Sequence, residues 1–295
     1  MEVEGAVGQT PTVRLKRLPH GGAEVWIKLE GGNPGGSIKD RAAWSMVAGA
    51  ESRGLLTPGS GQTIVEATSG NTGIGLAMIA AARGYRYVNV ATTALAERRR
   101  TVLQTYGAAL EFVPEKAGLE EARRRAREIA STSGGWWADQ FSNPDNPLAH
   151  YQTTAPEAWK QLSGQIDALV LGYGTGGSLS GMARFLKERN PKLLVVALEP
   201  QSCPTLSGRP CKAHPFTGLA PGFVPENLEL SLVDEVWEVP AEPALELGRR
   251  AAREEGLLLG PSGAANLWGA LQAAAELSAD ARVLTVAPDS GLKYL

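Results

Sequence analysis

The chain has 295 residues, of which 43% are hydrophobic, and a formal net charge of −2. Its length allows one large domain or two of ordinary size, and its balanced charge argues against a nucleic-acid-binding protein. No apolar run approaches the roughly 20 residues of a membrane helix, and the N-terminus lacks the basic and apolar regions of a signal peptide, so we expect a cytoplasmic protein.

Short apolar segments alternate with longer amphipathic segments along the chain. The predicted strands are 25–29, 62–66, 87–91, 110–113, 168–171, 194–198 and 283–287, and the predicted helices are 42–53, 73–83, 96–106, 119–132, 179–189, 243–255 and 264–277. This alternation predicts an α/β fold with mostly parallel sheets flanked by helices. Ligands of such sheets bind beyond the carboxyl ends of the strands.

Charged and turn-forming residues mark the features between these elements. The arginine-rich runs 98–100 and 123–127 lie among glutamates in helical patterns, so we interpret them as solvated faces. Residues 141–147 contain several turn formers near the midpoint of the chain and predict a domain border.

The turn-rich segment 203–225 predicts a long loop, and it contains both cysteines of the chain. Two cysteines are too few for a disulfide scaffold, so we expect Cys203 and Cys211 to be free thiols. His214 follows closely, but three possible ligands in a Pro/Gly-rich loop are weak evidence, and we expect no metal site.

Lys39 is the first candidate catalytic residue. Ser37 and Asp40 resemble a capping box, which places Lys39 in the first turn of a helix. The positive end of the helix dipole and burial both lower the pKa of a lysine there. An unprotonated lysine can attack a carbonyl and hold a cofactor as a Schiff base. The alternative is a solvated first-turn lysine, because most lysines are exposed.

The first of three strand–loop–helix junctions spans residues 65–73 and contains the sequence Thr-Ser-Gly-Asn-Thr-Gly. Hydroxyls, an amide side chain and backbone N–H groups meet there at a predicted helix N-terminus. Such an arrangement binds anions and suits a small carboxylate. The alternative, an ordinary capped turn, needs fewer of these residues.

The second junction spans residues 171–181 and is rich in glycine. Its backbone N–H groups, with Thr175 and Ser178, could bind a phosphate at a helix N-terminus. Residues 172–177 also satisfy the pattern G-x-G-x-x-G, and Glu199 ends the next predicted strand, where a dinucleotide enzyme has its ribose-binding acid. A nucleotide-binding module built on residues 172–177 is therefore the alternative from another class.

The third junction contains Ser262 in the sequence Gly-Pro-Ser-Gly. Ser262 is a natural helix N-cap, and its hydroxyl could instead contact a ring nitrogen of a ligand. Together, Lys39 and the junctions supply an amine, a phosphate site, a carboxylate site and a ring-nitrogen partner. Pyridoxal phosphate bound to an amino acid uses all four, whereas a dinucleotide has no use for Lys39.

The motifs at 28–41, 68–75, 139–144, 174–178 and 262–263 occur in an order that resembles one known family. The chain is similar, from Thr10 to Leu295, to the cysteine synthases (O-acetylserine sulfhydrylases). These enzymes belong to fold type II, or the tryptophan-synthase-β-like group, of pyridoxal-phosphate enzymes. Residues 24–30 and 143–151 look like the B-type isozyme, which also accepts thiosulfate. Residues 218–228 look like the A type and lack the arginine that the B type has there for thiosulfate.

The resemblance implies a role for each candidate residue. Lys39 is implied as the Schiff-base lysine that later moves the substrate α-proton. The residues implied to bind pyridoxal 5'-phosphate are Lys39, Asn71, Gly174, Thr175, Gly176, Gly177, Ser178 and Ser262. Those implied to bind the substrate carboxylate are Thr68, Ser69, Asn71, Thr72 and Gln140.

The resemblance also implies an activity and a domain organisation. The implied reaction makes L-cysteine from O-acetyl-L-serine and sulfide through an aminoacrylate; cystathionine β-synthase-like or phosphoserine-using β-replacement stays open. A small mobile substrate-binding domain at 35–145 is expected beside a large cofactor-phosphate-binding domain at 1–34 and 146–295. We expect a homodimer, with serine acetyltransferase as a candidate partner.

Overall fold

The computed structural model describes residues 2–18 and 21–295; Met1, Pro19 and His20 of the expected large domain lie outside the described residues. The strands are β1 (Thr12–Arg14), β2 (Glu24–Leu29), β3 (Thr63–Ala67), β4 (Arg86–Thr92), β5 (Ala109–Val113), β6 (Trp136–Trp137), β7 (Ala168–Gly172), β8 (Leu194–Pro200), β9 (Glu235–Val239) and β10 (Arg282–Ala287). The α-helices are α1 (Lys39–Ser52), α2 (Asn71–Arg83), α3 (Glu97–Thr105), α4 (Gly118–Ser133), α5 (Asp145–Ala149), α6 (Ala155–Gln161), α7 (Gly177–Lys187), α8 (Ala241–Arg250) and α9 (Pro261–Glu276). Within the described residues, none of the helices has the length and apolarity needed to span a membrane.

The strands form two sheets, which confirms the predicted α/β class. One sheet has the order β1-β2-β10-β7-β8-β9, in which β1 runs antiparallel to β2 and the other neighbours are parallel. The other has the order β5-β4-β3-β6 with parallel neighbours throughout. Parallel sheets of this kind are covered by helices on both faces, and their strands are therefore apolar on both sides.

The chain divides into two compact units. The larger unit consists of Gly8–Ile38 and Pro147–Leu295, and the smaller unit consists of Lys39–Asn146 with residues 2–7. The prediction instead placed residues 2–7 and Asn146 in the large domain and residues 35–38 in the small domain. The structure groups residues 2–7 with the smaller unit, where Val3 and Val7 pack against its apolar core and Glu4 forms a 3.1 Å ion pair with Arg83 of α2.

Each sheet buries apolar side chains on both of its faces. In the larger unit, Val170 belongs to the core that contains the apolar residues of α9, whereas its neighbour Leu171 belongs to the core that contains those of α7. In the smaller unit, Ile64 and Val65 likewise belong to different cores. Successive residues of a strand point to opposite faces, so these continuous apolar runs each support two cores.

Some elements were not predicted. β1 and β6 span three and two residues, too few to show a periodic pattern. The segment 145–161 was interpreted in part as a turn because of Asn146 and Pro147, yet it forms α5, a π-helical turn (His150–Thr154) and α6. Proline is tolerated in the first turn of a helix, so Pro147 does not prevent this.

The expectation of free cysteines was wrong. Cys203 and Cys211 form a disulfide with a Cα–Cα distance of 3.8 Å. The loop itself brings them together, because Lys212 N–H donates a 2.8 Å hydrogen bond to the carbonyl oxygen of Ser202. That backbone pairing between the residues flanking the two cysteines cannot be predicted from their spacing.

Candidate active site

Lys39 is the first residue of α1, in the smaller unit. Its side chain is partly exposed, but the surrounding protein still lowers its pKa to about 8 by desolvation. The carbonyl oxygen of Lys39 is 3.2 Å from the position that a Cβ would take on Gly75, so α1 approaches α2 closely at this point. At neutral pH, Lys39 therefore has a much larger unprotonated fraction than an ordinary lysine.

The carboxylate loop, defined as residues 68–72, joins β3 to α2 in the smaller unit. The N–H of Gly70 donates to Oγ1 of Thr68 at 3.0 Å, and Nδ2 of Asn89 donates to the carbonyl oxygen of Thr68 at 2.9 Å. Asn71 begins α2 directly after the N-cap Gly70, which has no side chain to cap the helix. The positive end of α2 thus lies in a loop of hydroxyls and amides, as an anion site requires.

Gln140 joins this loop through its side chain. Oγ1 of Thr72 donates a hydrogen bond to Oε1 of Gln140 at 2.5 Å, and both side chains are buried. Nδ2 of Asn146 donates to the carbonyl oxygen of Gln140 at 2.6 Å, which holds its backbone as well. The structure therefore brings together the predicted carboxylate residues of the smaller unit.

A buried glutamate beneath this loop was not singled out from the sequence. Glu66 in β3 is fully buried and accepts hydrogen bonds from N–H of Ala67 at 2.9 Å and of Gln140 at 3.2 Å. Burial, with a smaller contribution from Asp139, raises the pKa of Glu66 to about 8. The signal available in the sequence was a single acidic residue inside an otherwise apolar strand.

Two of the arginines at 98–100, which were interpreted as part of a solvated face, are partly exposed and also donate hydrogen bonds to backbone carbonyls. The guanidinium of Arg99 donates to the carbonyl oxygen of Ser69 at 2.6 Å, so α3 contacts the carboxylate loop. The guanidinium of Arg100 donates to the carbonyl oxygens of Leu95 and Thr93. Backbone acceptors of this kind leave no pattern in the sequence.

The phosphate loop, defined as residues 172–178, joins β7 to α7 in the larger unit. Its first residues are held by the protein: Gly172 N–H donates to Oδ1 of Asn266 at 2.8 Å, and the carbonyl oxygen of Tyr173 accepts from N–H of Ala220 at 2.8 Å. Gly176 is the N-cap of α7 and has no side chain to cap that helix. The first-turn N–H groups of a helix have no intrahelical acceptors, so this end of α7 suits an anion.

Glu199 and His150 have contacts in the structure that the sequence did not predict. Glu199, the candidate ribose-binding acid, is fully buried and accepts from N–H of Leu206 at 2.7 Å and from the hydroxyl of Ser207 at 2.6 Å. Its carboxylate is thus used by the loop that follows β8, which disfavours the dinucleotide hypothesis. His150, which was not singled out, lies with Nε2 3.1 Å from Oγ of Ser178.

Ser262 is not the N-cap of its helix, although the sequence made it a natural candidate for that position. α9 begins at Pro261 with Gly260 as its N-cap, and the buried Ser262 lies inside the first turn. One turn further along α9, Asn266 accepts the hydrogen bond from Gly172. The start of α9 and the start of the phosphate loop therefore belong to one hydrogen-bonded region of the larger unit.

A parallel α/β fold with an amine of lowered pKa and two helix N-termini that suit anions is typical of enzymes that hold a phosphorylated carbonyl cofactor on lysine. The chain belongs to the family of pyridoxal-phosphate dependent enzymes, which matches residues 3–289. The predicted family and cofactor are thereby confirmed.

Known proteins similar to the chain are also enzymes. A cysteine synthase of Staphylococcus aureus is 43% identical over 291 residues, covering 98% of this chain and 93% of that protein. Cysteine synthase B of Escherichia coli is 42% identical over 294 residues, covering 99% of this chain and 94% of that protein. The crystal structure of an O-ureido-L-serine synthase has a TM-score of 0.96 and 41% identity, covering 100% of this chain and 93% of that one.

The residues of this chain fit pyridoxal phosphate. Lys39 offers an amine with a pKa of about 8, which suits attack on an aldehyde near neutral pH. The N-terminus of α7 offers backbone donors beside the hydroxyls of Thr175 and Ser178. Ser262 offers an uncharged hydroxyl. These groups match the aldehyde, the phosphate and the ring nitrogen of the cofactor in chemical type.

Proposed function

We propose that the protein makes L-cysteine from O-acetyl-L-serine and sulfide by pyridoxal-phosphate-dependent β-replacement. The observation that carries the proposal is the amine of Lys39 at the start of α1, whose pKa is lowered to about 8 because the surrounding protein desolvates it. Identity of 43% to a cysteine synthase over 98% of the chain supports the choice of reaction.

Lys39 holds the cofactor covalently and later takes the proton from Cα of the amino-acid substrate. The bound cofactor supplies an aldehyde for this attachment and a conjugated ring that withdraws electrons from Cα. A lysine with a pKa close to the working pH serves both roles, because it is unprotonated often enough to attack and basic enough to accept a proton.

The phosphate loop holds the cofactor phosphate. We assign backbone and side-chain donors of Gly174, Thr175, Gly176, Gly177 and Ser178 to this role, since the N-terminus of α7 favours negative charge. Asn71 is assigned to the ring oxygen and Ser262 to the ring nitrogen of the cofactor. A serine hydroxyl does not force a proton onto the ring nitrogen as an aspartate does, which keeps the ring a moderate electron acceptor and suits rapid loss of a β-substituent.

The carboxylate loop and Gln140 hold the carboxylate of the amino acid. The residues assigned are Thr68, Ser69, Asn71, Thr72 and Gln140. The hydroxyls of Thr68 and Ser69, the side-chain amides and the N-terminus of α2 are donors. The hydroxyl hydrogen of Thr72 is donated to Oε1 of Gln140 at 2.5 Å, so Thr72 offers its backbone N–H and fixes the Gln140 amide. Fixed donors of this kind orient Cα toward the base without reorganisation during the reaction.

The experiment that tests the proposal mixes the purified holoenzyme with O-acetyl-L-serine and sulfide and measures L-cysteine. We expect the wild type and Lys116→Ala, a control at an exposed lysine of the smaller unit, to form cysteine. Lys39→Ala should lose both turnover and the visible absorption of the lysine-bound cofactor. Cysteine formation by Lys39→Ala at the wild-type rate would refute the assignment of the base.

The same assay separates the alternative substrates. Phosphoserine replaces O-acetyl-L-serine as donor, and thiosulfate or homocysteine replaces sulfide as acceptor. We expect the highest kcat/KM with O-acetyl-L-serine and sulfide. A higher value with homocysteine would reassign the protein to the cystathionine β-synthase type, and a colourless protein that binds NAD would support the nucleotide-binding module.

We further infer a homodimer, a cytoplasmic location and a smaller unit that moves when substrate binds. Sedimentation measures the oligomeric state, and fractionation of the producing cell measures the location. Small-angle scattering with and without O-acetyl-L-serine measures the movement of the smaller unit. Binding of serine acetyltransferase is tested by titrating the purified acetyltransferase against the holoenzyme. The homodimer, the moving unit and the partner are predictions from the resemblance, and the location is a prediction from the sequence itself.

A further inference from the structure

His150 is a buried histidine that none of the proposed catalytic roles uses. It lies in the larger unit, at the first position of the π-helical turn His150–Thr154, and its side chain is fully buried. Nε2 is 3.1 Å from Oγ of Ser178, and Nδ1 is 2.9 Å from Oγ1 of Thr154. One ring nitrogen thus contacts the phosphate loop, and the other contacts the turn that carries the histidine.

The local backbone explains why His150 reaches Ser178. A Cβ on Gly181 of α7 would lie 2.1 Å from the carbonyl oxygen of Pro147 and 2.9 Å from Cβ of His150. Only glycine therefore allows α7 to lie this close to the helix that contains His150. π-helical turns of this kind occur frequently at functional sites, because the extra residue redirects a side chain.

We propose that His150 is a positioning residue for phosphate binding: its Nε2–H donates to Oγ of Ser178 and thereby directs the Ser178 hydroxyl hydrogen toward the phosphate. Thr154 completes the chain of hydrogen bonds by donating its hydroxyl hydrogen to Nδ1. The proposal rests on the proposed function, since it takes the phosphate loop as the site of the cofactor phosphate.

The direction of these hydrogen bonds follows from the chemistry of the ligand. A phosphate offers only acceptor oxygens when ionised, so Ser178 must present its hydrogen to it. If Nε2 were unprotonated, Ser178 would donate to the imidazole and turn its lone pairs toward the anion. A neutral imidazole carries one proton, so protonation of Nε2 leaves Nδ1 as an acceptor for the Thr154 hydroxyl.

Nitrogen-15 NMR of the protein, labelled at its histidines and freed of cofactor, tests the tautomer directly. We expect the His150 signals to show a protonated Nε2 and an unprotonated Nδ1, and this pattern to persist when inorganic phosphate is added. Thr154→Val, which removes the hydroxyl donor, should shift the population toward the other tautomer. Protonation of Nδ1 in the wild type would overturn the proposal. This measurement does not depend on enzymatic activity.

A double-mutant cycle tests the coupling to Ser178. Pyridoxal phosphate is titrated into the cofactor-free protein, and its dissociation constant is measured by absorbance. Loss of one oriented hydrogen bond corresponds to a change of about 10-fold in affinity, so we expect His150→Leu and Ser178→Ala each to weaken binding by about that factor. The double variant should bind pyridoxal phosphate with about the same affinity as each single variant, because both changes remove the same interaction.

Conservative and control variants separate positioning from folding. His150→Gln retains an N–H donor for Ser178 and should recover most of the affinity that His150→Leu loses. Tyr151→Phe changes the neighbouring side chain, whose hydroxyl contacts Glu188 at 2.8 Å, and should leave the affinity unchanged. Independent, multiplying effects of His150→Leu and Ser178→Ala would overturn the proposal. If His150→Leu does not fold, the NMR result and Thr154→Val decide it.

The failure of this inference can be distinguished from failure of the proposed function. A wild-type protein that does not bind pyridoxal phosphate contradicts the proposed function itself. A wild type that binds it while the cycle shows no coupling, or while Nδ1 of His150 carries the proton, contradicts only the role of His150.

Discussion

Oγ1 of Thr72 donates a 2.5 Å hydrogen bond to Oε1 of Gln140 and so connects the first turn of α2 to the segment after β6. The amide oxygen of Gln140 is engaged by this bond, and its nitrogen remains the donating end. One N–H of that nitrogen points to the carbonyl oxygen of Ala67 at 3.4 Å. The threonine hydroxyl therefore decides which end of the amide serves as a donor for an anion.

Thr72→Val should raise KM for O-acetyl-L-serine by about 10-fold, because one hydrogen bond that orients the Gln140 amide is worth about 1–1.5 kcal/mol. KM for sulfide should not change, since sulfide has no carboxylate. Steady-state kinetics with each substrate varied in turn measures both values. Thr72→Ser keeps the hydroxyl and is the matched control. Equal kinetics of the valine and serine variants would contradict the role of the hydroxyl.

Lys39→Met should stabilise the cofactor-free protein near pH 7. The pKa of Lys39 is about 8 in the folded protein, whereas an unfolded lysine titrates near 10.4. Between these values the unfolded chain binds more protons, so the wild-type free energy of unfolding rises with pH across that window. Methionine carries no charge, so the free energy of unfolding of Lys39→Met has no such dependence on pH. The stability difference between Lys39→Met and the wild type should therefore shrink as pH rises from 8 to 10.

Urea denaturation at pH 7 and pH 10 measures the two free energies of unfolding. Lys116→Met, at an exposed position of the smaller unit, is the control and should show no such dependence. A stability gap between Lys39→Met and the wild type that stays constant over this pH range would show that the Lys39 amine is not desolvated.

Glu66→Gln should flatten the pH dependence of stability. Burial and the charge of Asp139 raise the pKa of Glu66 to about 8 in the folded protein, whereas the charge of Arg123 lowers it. Tyr87 is a further titratable neighbour. An unfolded glutamate has a pKa near 4.3. Between these values the folded protein binds more protons, so wild-type stability falls as pH rises.

The neutral glutamine avoids this loss. Between pH 5 and pH 8, the free energy of unfolding of Glu66→Gln should rise by on the order of 3 kcal/mol relative to that of the wild type. Urea denaturation at both pH values checks this, with the exposed Glu120→Gln as the control. Parallel pH profiles of Glu66→Gln and the wild type would mean that Glu66 is ionised throughout the range.

Reduction of the Cys203–Cys211 disulfide should lower the free energy of unfolding. The two cysteines are separated by 8 residues, and loop-closure entropy for so short a loop gives a loss of about 2.5 kcal/mol. Urea denaturation with and without dithiothreitol measures it. The double variant Cys203→Ser with Cys211→Ser has no disulfide, so its midpoint should not respond to the reductant. An unchanged wild-type midpoint would contradict the prediction.

The sequence predicted the fold class and most strands because their apolar runs are long. β3 and β7 each bury nearly all of their residues, and runs of five residues match the usual length of a strand better than that of a helix. β6, with two residues, is defined only by its pairing with β3, which is information that lies elsewhere in the chain. The same is true of the disulfide, which depends on the path of the loop.

The candidate residues were predictable where they cluster in sequence, as in the carboxylate and phosphate loops. His150 and Glu66 were not, because each is a single polar residue whose role comes from a contact distant in sequence. His150 contacts Ser178, 28 residues away, and Glu66 contacts Gln140, 74 residues away. The family and the cofactor are confirmed, whereas the role of each residue stays a prediction until the variants are measured.

The order of strands in the larger unit has a consequence for synthesis of the chain. β10, the last strand, lies between β2 and β7 and pairs with both. β2 therefore has no inner neighbour until residues 282–287 have been made, so this sheet closes later than the sheet of the smaller unit. The smaller unit has all of its strands between residues 63 and 137, so its sheet can form while the rest of the chain is still being made.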